Sequence, residues 1–269
     1  MGDFDVDRYL ERIDYEGPRE PTAETLAALH LAHLIHVPFE NLHVYHRLGV
    51  RVDVGWSYPK VVEQRRGGWC FELNGCFAEL LRRLGFTVDL YSCRTFEPDS
   101  GGLSPDFDHL ALLVRAGMDA FLVDVGWGDN PLAVLPAESG DYATRPRPSR
   151  LEATGDVIRL IEHVERVDGE VVWELQYEAT RHPRRLDDFD PRSRYLQTEP
   201  GLMWTDKPLV TRATSALGGR VTLHRDRLRV RTDALTVDDQ PVDAAEWASA
   251  LQAWFGMTMP AEPTPRTGR

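Results

Sequence analysis

The chain has 269 residues, 42% of them hydrophobic, and a formal net charge of -12. That length suffices for a well-buried core in one large domain or two to three small ones. The acidic balance excludes sequence-independent binding to nucleic acid, which needs clustered Lys and Arg, and it means that any anionic ligand requires a local basic patch. Cys70, Cys76 and Cys93 are too few, and odd in number, to make a disulfide framework or a Cys-x-x-Cys pair, so a reducing compartment is expected. The opening MGDFDVDRYL is acidic, lacks an apolar h-region and has no Ser or Thr where a myristoylation signal needs one. No apolar run reaches the roughly 20 residues that cross a bilayer, and the expectation is a cytoplasmic protein with no membrane partner.

The first 85 residues carry helical signals. Val6, Tyr9, Leu10 and Ile13 recur at helical spacing, and a second segment opens at PTAETLAALHLAHLI with Thr22 as its cap. A third helix is predicted from near Ser57 to the pair Gly67 and Gly68, on the ground that glycine accepts the left-handed conformation that ends helices. A fourth runs from about Cys70 to Leu84, with Leu73, Phe77, Leu80 and Leu84 on one stripe and Gly85 as terminator.

After Gly85 the period changes to that of strands. FTVDLYSCRTF, HLALLVRA, AFLVDVGW, VIRLIEHV, VVWELQYEA and RVTLHRDRLRV are rich in Val, Leu, Tyr and Phe and separated by Gly, Pro and Asp turns, which suggests an antiparallel sheet or small barrel. The polar, proline-bearing segment near residues 141 to 156 reads as a loop. A last helix is expected over Asp243 to Phe255, where Asp243 and Glu246 have capping-box spacing and Trp247, Leu251, Trp254 and Phe255 form a stripe ended by Gly256. The closing PAEPTPRTGR reads as a mobile tail.

Cys70 follows Gly67, Gly68 and Trp69 at a helix start, where exposed N–H groups and the macrodipole favour a thiolate. From the residues alone it reads either as a nucleophile or as a small core residue, the ordinary role for a helical cysteine and the one expected of Cys76 and Cys93. A thiolate nucleophile needs an imidazole partner oriented by a carboxylate. His109 opens the strand HLALLVRA at the rim of the sheet, and Asp124 lies inside the strand AFLVDVGW, where a carboxylate must be paired. A hairpin turning near Ala116 to Asp119 brings these two side chains to one end, although Asp124 could equally be a structural carboxylate bonded to backbone amides. His30, His33, His36 and His43 resemble a metal half-site by spacing, but no cysteine or carboxylate set completes it, so they read as structural or surface histidines and no metal is expected. GWGDN at residues 126 to 130 lacks the length and the lysine of a P-loop.

HVPFENL at 36–42, RGGWCFELNG at 66–75, Asp108-His109-Leu110 and DVGWG at 124–128 occur in one order along the chain, and together they resemble the arylamine N-acetyltransferase family. The resemblance implies an α+β fold: an N-terminal helical bundle, a central antiparallel β-barrel-like domain and a C-terminal α/β lid, with a cysteine-protease-like catalytic core. The corresponding divisions here are 1–85, 86–200 and 201–269. The family's catalytic cysteine, histidine and aspartate fall on Cys70, His109 and Asp124, and its buried Glu–Arg pair on Glu40 and Arg66.

The implied reaction is ping-pong transfer of an acetyl group from acetyl-CoA, a cosubstrate and not a permanently bound cofactor, through a Cys70 thioester to an arylamine, arylhydrazine or N-hydroxyarylamine. The resemblance places the coenzyme A arm against Gly126, Trp127 and Gly128, and with the two activating influences on Cys70 it leads to the expectation of a low thiol pKa. Trp127 and Trp204 stand where the family often has phenylalanine, and two larger rings facing one cleft narrow the acceptor pocket. An ansamycin-type amide synthase uses the same triad, as does a Cys-His-Asp hydrolase or transglutaminase-like enzyme, though HVPFENL speaks against hydrolysis. A relative that has lost activity is disfavoured by the intact triad.

Overall fold

A computed structural model describes residues 4–98, 100–129, 131–165 and 169–259. The tail expectation for PAEPTPRTGR, and Asn130 of GWGDN, lie outside the described residues.

Helix α1, Val6–Arg12, starts where the Asp5 side chain accepts from the Arg8 N–H, and α2, Ala23–His36, where Thr22 accepts from Thr25. Strand β1, Phe39–Glu40, and the short helix α3, Leu42–Tyr45, follow. Helix α4, Val54–Tyr58, continues into a π-turn, Pro59–Glu63, and α5 is Cys70–Arg83, closed by Gly85 at φ 93°. The third helix therefore starts and stops earlier than its sequence suggested, and the left-handed residue after it is Arg65, φ 52°, not a glycine. Gly67 and Gly68 are needed for space. A Cβ on Gly67 would lie 2.0 Å from the Pro38 carbonyl oxygen, and one on Gly68 would lie 2.8 Å from the Glu72 Cβ.

The period-2 segments form the strands β2 (Thr87–Glu97), β3 (Gly102–Leu103), β4 (His109–Ala116), β5 (Asp119–Val123), β6 (Leu135–Pro136), β7 (Gly140–Tyr142), β8 (Ser149–Thr154), β9 (Val157–Glu165) and β10 (Val171–Arg184). Among the described residues they make one antiparallel sheet ordered β6-β5-β4-β2-β10-β9-β8-β7, with β3 attached to β2. Its end strands approach each other where the Tyr142 hydroxyl donates to the Pro136 carbonyl at 3.3 Å, which nearly closes a barrel. The expected hairpin is present, with Ala116 paired to Asp119. Residues 141 to 156 are not the predicted loop: β7 and β8 pair there, Ser149 and Leu151 are buried, and the charged residues between and after them occupy the other face. A short strand with one large apolar residue gives a weak alternation signal.

Helix α6, Asp190–Thr198, and the turn-length α7, Met203–Asp206, lead into the strands β11 (Val210–Ala213), β12 (Arg220–Leu223), β13 (Arg227–Arg231) and β14 (Val237–Pro241) and the helix α8, Ala244–Phe255. RVTLHRDRLRV is thus a hairpin of β12 and β13 and not one strand. The order of this second sheet is β1-β11-β12-β13-β14, so a piece of the N-terminal region serves as its edge. Val221, Leu223 and Leu228 pack on Trp247, Leu251 and Phe255 of α8, while Arg220, Thr222, Arg229 and Arg231 line a cavity on the opposite face. The predicted capping box at Asp243 and Glu246 is formed. No helix among the described residues is long and apolar enough to cross a membrane.

Candidate active site

Cys70 is the first residue of α5 and is 8% exposed, at the wall of a cavity of about 780 Å³ that His109, Gly126, Trp127, Gly128 and Trp204 also line. His109 heads β4 and Asp124 lies one residue beyond β5, not within the strand as its sequence suggested. The His109 Nε2 and Asp124 Oδ2 atoms are 2.6 Å apart and both side chains are buried. With Nε2 committed as donor to the carboxylate, Nδ1 is left as the basic nitrogen of the neutral ring. The His109 ring sits between aromatic rings, 5.0 Å from Trp127 and 5.2 Å from Tyr177 centre to centre.

Asp124 is held from several sides. Asn74 Nδ2 donates to its Oδ1 at 2.9 Å, the Gly126 N–H donates to the same oxygen at 2.8 Å, and Tyr177 is also bonded to the carboxylate. Burial alone raises the Asp124 carboxyl, but the charge and hydrogen bond of His109, with Asn74 and Gly126, outweigh it and keep the group below its ordinary value. Asn74 belongs to α5, one turn after Cys70, and it also donates to the Leu110 carbonyl at 2.6 Å and accepts from the Val125 N–H at 3.0 Å. One amide therefore joins the three segments that carry Cys70, His109 and Asp124. Gly126 completes this contact: a Cβ there would lie 2.7 Å from both the Cys70 Cα and Asn74 Nδ2.

The Cys70 thiol does not follow the expectation of a lowered pKa. Burial, and then the carboxylates of Asp124 and Asp108, push it up, against backbone groups of Leu110 and Phe71 that favour the thiolate. The first turn of a helix is thus not enough to ionise this sulfur. Burial likewise raises the thiols of Cys76 and Cys93, which are packed in the cores.

The Glu40–Arg66 pair is formed at 2.8 Å, within a larger buried cluster. Lys60, 3% exposed, lies 3.4 Å from Glu40 and donates to both oxygens of Glu72 at 2.9 Å. Glu72 in turn accepts the Trp69 N–H at 3.2 Å, so the cluster fixes the turn that delivers Cys70. Despite burial, Lys60, Arg66 and His43 with the Leu42 N–H hold the Glu40 carboxyl down at about 2.

The four histidines of residues 30 to 43 disperse. His30 Nε2 meets the Asp124 carbonyl at 3.1 Å, His33 Nδ1 the Tyr9 hydroxyl at 3.2 Å and His36 Nδ1 the Ala32 carbonyl at 3.2 Å, while His43 adjoins Arg66. Among the described residues no three His, Cys, Asp or Glu side chains are grouped to hold a metal.

Sequence reasoning passed over Asn74, Tyr177, Lys60 and Glu72. Asn74 carried a usable signal, a poor helix former four residues after the cysteine and hence on its face. Arg220, Arg229 and Arg231, the arginines that an anionic ligand could use, line one end of the cavity with His224; Arg220 and Arg231 pair with Asp129 and Arg229 with Asp239, while burial lowers the His224 pKa.

A model of the N-acetyltransferase family matches residues 22–263. The arylamine N-acetyltransferase of Mycolicibacterium smegmatis is 32% identical over 264 residues, which cover 95% of this chain and 93% of that one. The solved structure of the arylamine N-acetyltransferase from Salmonella typhimurium superposes with a TM-score of 0.87 at 27% identity, covering 97% of this chain and 94% of that one. That of Mycobacterium marinum in complex with CoA gives 0.83 at 28% identity, covering 94% and 92%. The chain is an enzyme of the arylamine N-acetyltransferase family.

Proposed function

We propose that the chain moves an acetyl group from acetyl-CoA to an arylamine, arylhydrazine or N-hydroxyarylamine by a ping-pong route. Cys70 attacks the thioester carbonyl as Nδ1 of His109 takes its proton, the new S–C bond forms, and the coenzyme A thiolate leaves with that proton. The amine then attacks the Cys70 thioester, gives its proton to His109 and expels the Cys70 sulfur, which is reprotonated. Asp124 holds the imidazole in the right tautomer and offsets its charge. The Cys70 N–H, unpaired within its helix as the first of α5, is the proposed oxyanion donor.

Coenzyme A lies in this reading along Gly126, Trp127 and Gly128, with its phosphates toward the basic lid end. Residues 1–85 supply the nucleophile, 86–200 the histidine and aspartate, and 201–269 the lid, in a reducing cytoplasm where Cys70 stays a thiol. Trp127 and Trp204 restrict the acceptor to flat, narrow amines. The observation that carries the proposal is a buried Cys70 sharing one cavity with the 2.6 Å His109–Asp124 pair and a basic lid face. Initial rates at several fixed amine concentrations test it. Parallel double-reciprocal lines are expected, and intersecting lines would rule out the covalent route.

A further inference from the structure

At the lid end of the cavity, Asp129 collects three arginines. Arg231 of β13 meets it in bidentate fashion at 2.7 and 2.8 Å, Arg220 of β12 approaches to 2.6 Å, and Arg147 donates to its carboxylate at 2.9 Å and to its carbonyl at 3.0 Å. Arg147 also pairs with Glu162 of β9 at 2.6 Å. One carboxylate, two residues beyond Trp127, thereby ties the glycine loop to two strands of the lid and, through Arg147, to the barrel.

The strand register explains why this carboxylate is needed. Arg220 and Arg231 are directly opposite each other in the β12–β13 pair. Like charges in that relation repel unless an anion lies between them. Both side chains are largely enclosed, 6% and 18% exposed, so water screens them poorly. The same face carries Arg229 and His224, all of them cavity-lining.

We infer that Asp129 is a positioning residue that draws the basic face of the lid sheet over the cavity and sets the fit of the acyl donor's anionic end. The inference rests on the acyl-CoA reading above and deepens it. Its test turns on a sign. Asp129 is itself negative, so if only net charge mattered, removing it would tighten an anionic donor; a positioning role requires the opposite.

The experiment compares acetyl-CoA with p-nitrophenyl acetate, a donor with no phosphates, in wild type, Asp129→Asn and Asp129→Glu. Asp129→Glu keeps the charge, leaves the arginines compensated and displaces the carboxylate by one methylene, so it decides the matter if Asp129→Asn does not fold. The expected result is a KM for acetyl-CoA raised at least tenfold in Asp129→Asn and several-fold in Asp129→Glu. The ratio of kcat/KM for acetyl-CoA to that for the ester should fall in parallel, with far-UV circular dichroism unchanged. A lowered KM in Asp129→Asn with an unchanged one in Asp129→Glu overturns the inference, as does an equal loss on both donors. A wild-type enzyme that accepts the ester and not acetyl-CoA would instead overturn the underlying reading.

Discussion

Replacing Lys60 by Met probes the buried ion cluster behind the nucleophile. The substitution keeps the volume and removes the cation that donates to both Glu72 oxygens at 2.9 Å. Glu40 retains Arg66 at 2.8 Å and the Leu42 N–H at 2.6 Å. Glu72 retains the Trp69 N–H at 3.2 Å, which is too little to hold a desolvated charge, and so it takes up a proton. Burial already holds the Glu72 carboxyl above its ordinary 4.5 in the wild type, with Lys60 opposing the rise, so protonating it at pH 7 in the variant adds at most about 3.4 kcal/mol. Lost hydrogen bonds add about 1–2 kcal/mol, for a total of at most about 5 kcal/mol.

The protonation part depends on pH. The folded pKa of Glu72, already above its unfolded value in the wild type, rises further in the variant, so the added penalty is absent below pH 4.5 and grows as the pH rises through the wild-type toward the variant folded pKa. Going from pH 7 to pH 5 should return part of the difference from wild type, at most about 2.5 kcal/mol. Urea unfolding of both proteins at the two pH values measures this, and adding Glu72→Gln should abolish the pH dependence. A destabilisation under about 1 kcal/mol, or one equal at both pH values, refutes the reasoning.

Asp124→Asn should lower kcat by about 10³–10⁴ with the fold intact, because an amide N–H facing Nε2 imposes the tautomer in which Nδ1 cannot accept the thiol proton; steady-state kinetics with circular dichroism check it, and a loss below tenfold would contradict it. Burial lowers the pKa of His30 to about 4 from an ordinary 6.5, so its contribution is present above pH 6.5 and is lost as the pH falls toward 4. Wild type should therefore lose about 2 kcal/mol more than His30→Gln between pH 7 and pH 5 in urea unfolding, and parallel losses would remove this term. Gly126→Ala forces its Cβ to within 2.7 Å of the Cys70 Cα. We expect at least a tenfold fall in kcat and a lower Tm, against no change if the loop can simply yield.

The helices were legible where burial and capping acted together. Thr22, the α5 stripe and the Asp243 capping box each stated their element in local sequence. The β4–β5 hairpin was legible for the same reason, since both strands are apolar and a tight turn separates them. Residues 141 to 156 were not, because they bury only Leu151 as a large aliphatic residue, with Ser149 and the half-buried Tyr142 and Ala153 beside it, which is a weak alternation signal. The third helix ends at Glu63, short of the glycines that read as its stop, because Gly67 and Gly68 answer to close approach to Pro38 and Glu72 and not to a need for conformational freedom.

At the site, Cys70, His109, Asp124, Glu40 and Arg66 were all named from motifs, whereas Asn74, Lys60 and Asp129 act through contacts distant in sequence. The thiol was misjudged because sequence displays a helix terminus but not the depth of burial or the Asp108 and Asp124 charges around it.

The central claim is that Cys70 carries the acetyl group between donor and acceptor. Mass spectrometry of the intact protein after incubation with acetyl-CoA and no amine, followed by peptide mapping, tests it most directly. One acetyl group on Cys70, discharged when an arylamine is added, is the predicted result. An acetyl group on another residue, or turnover to the amine with no acetylated protein at any time, would contradict the account.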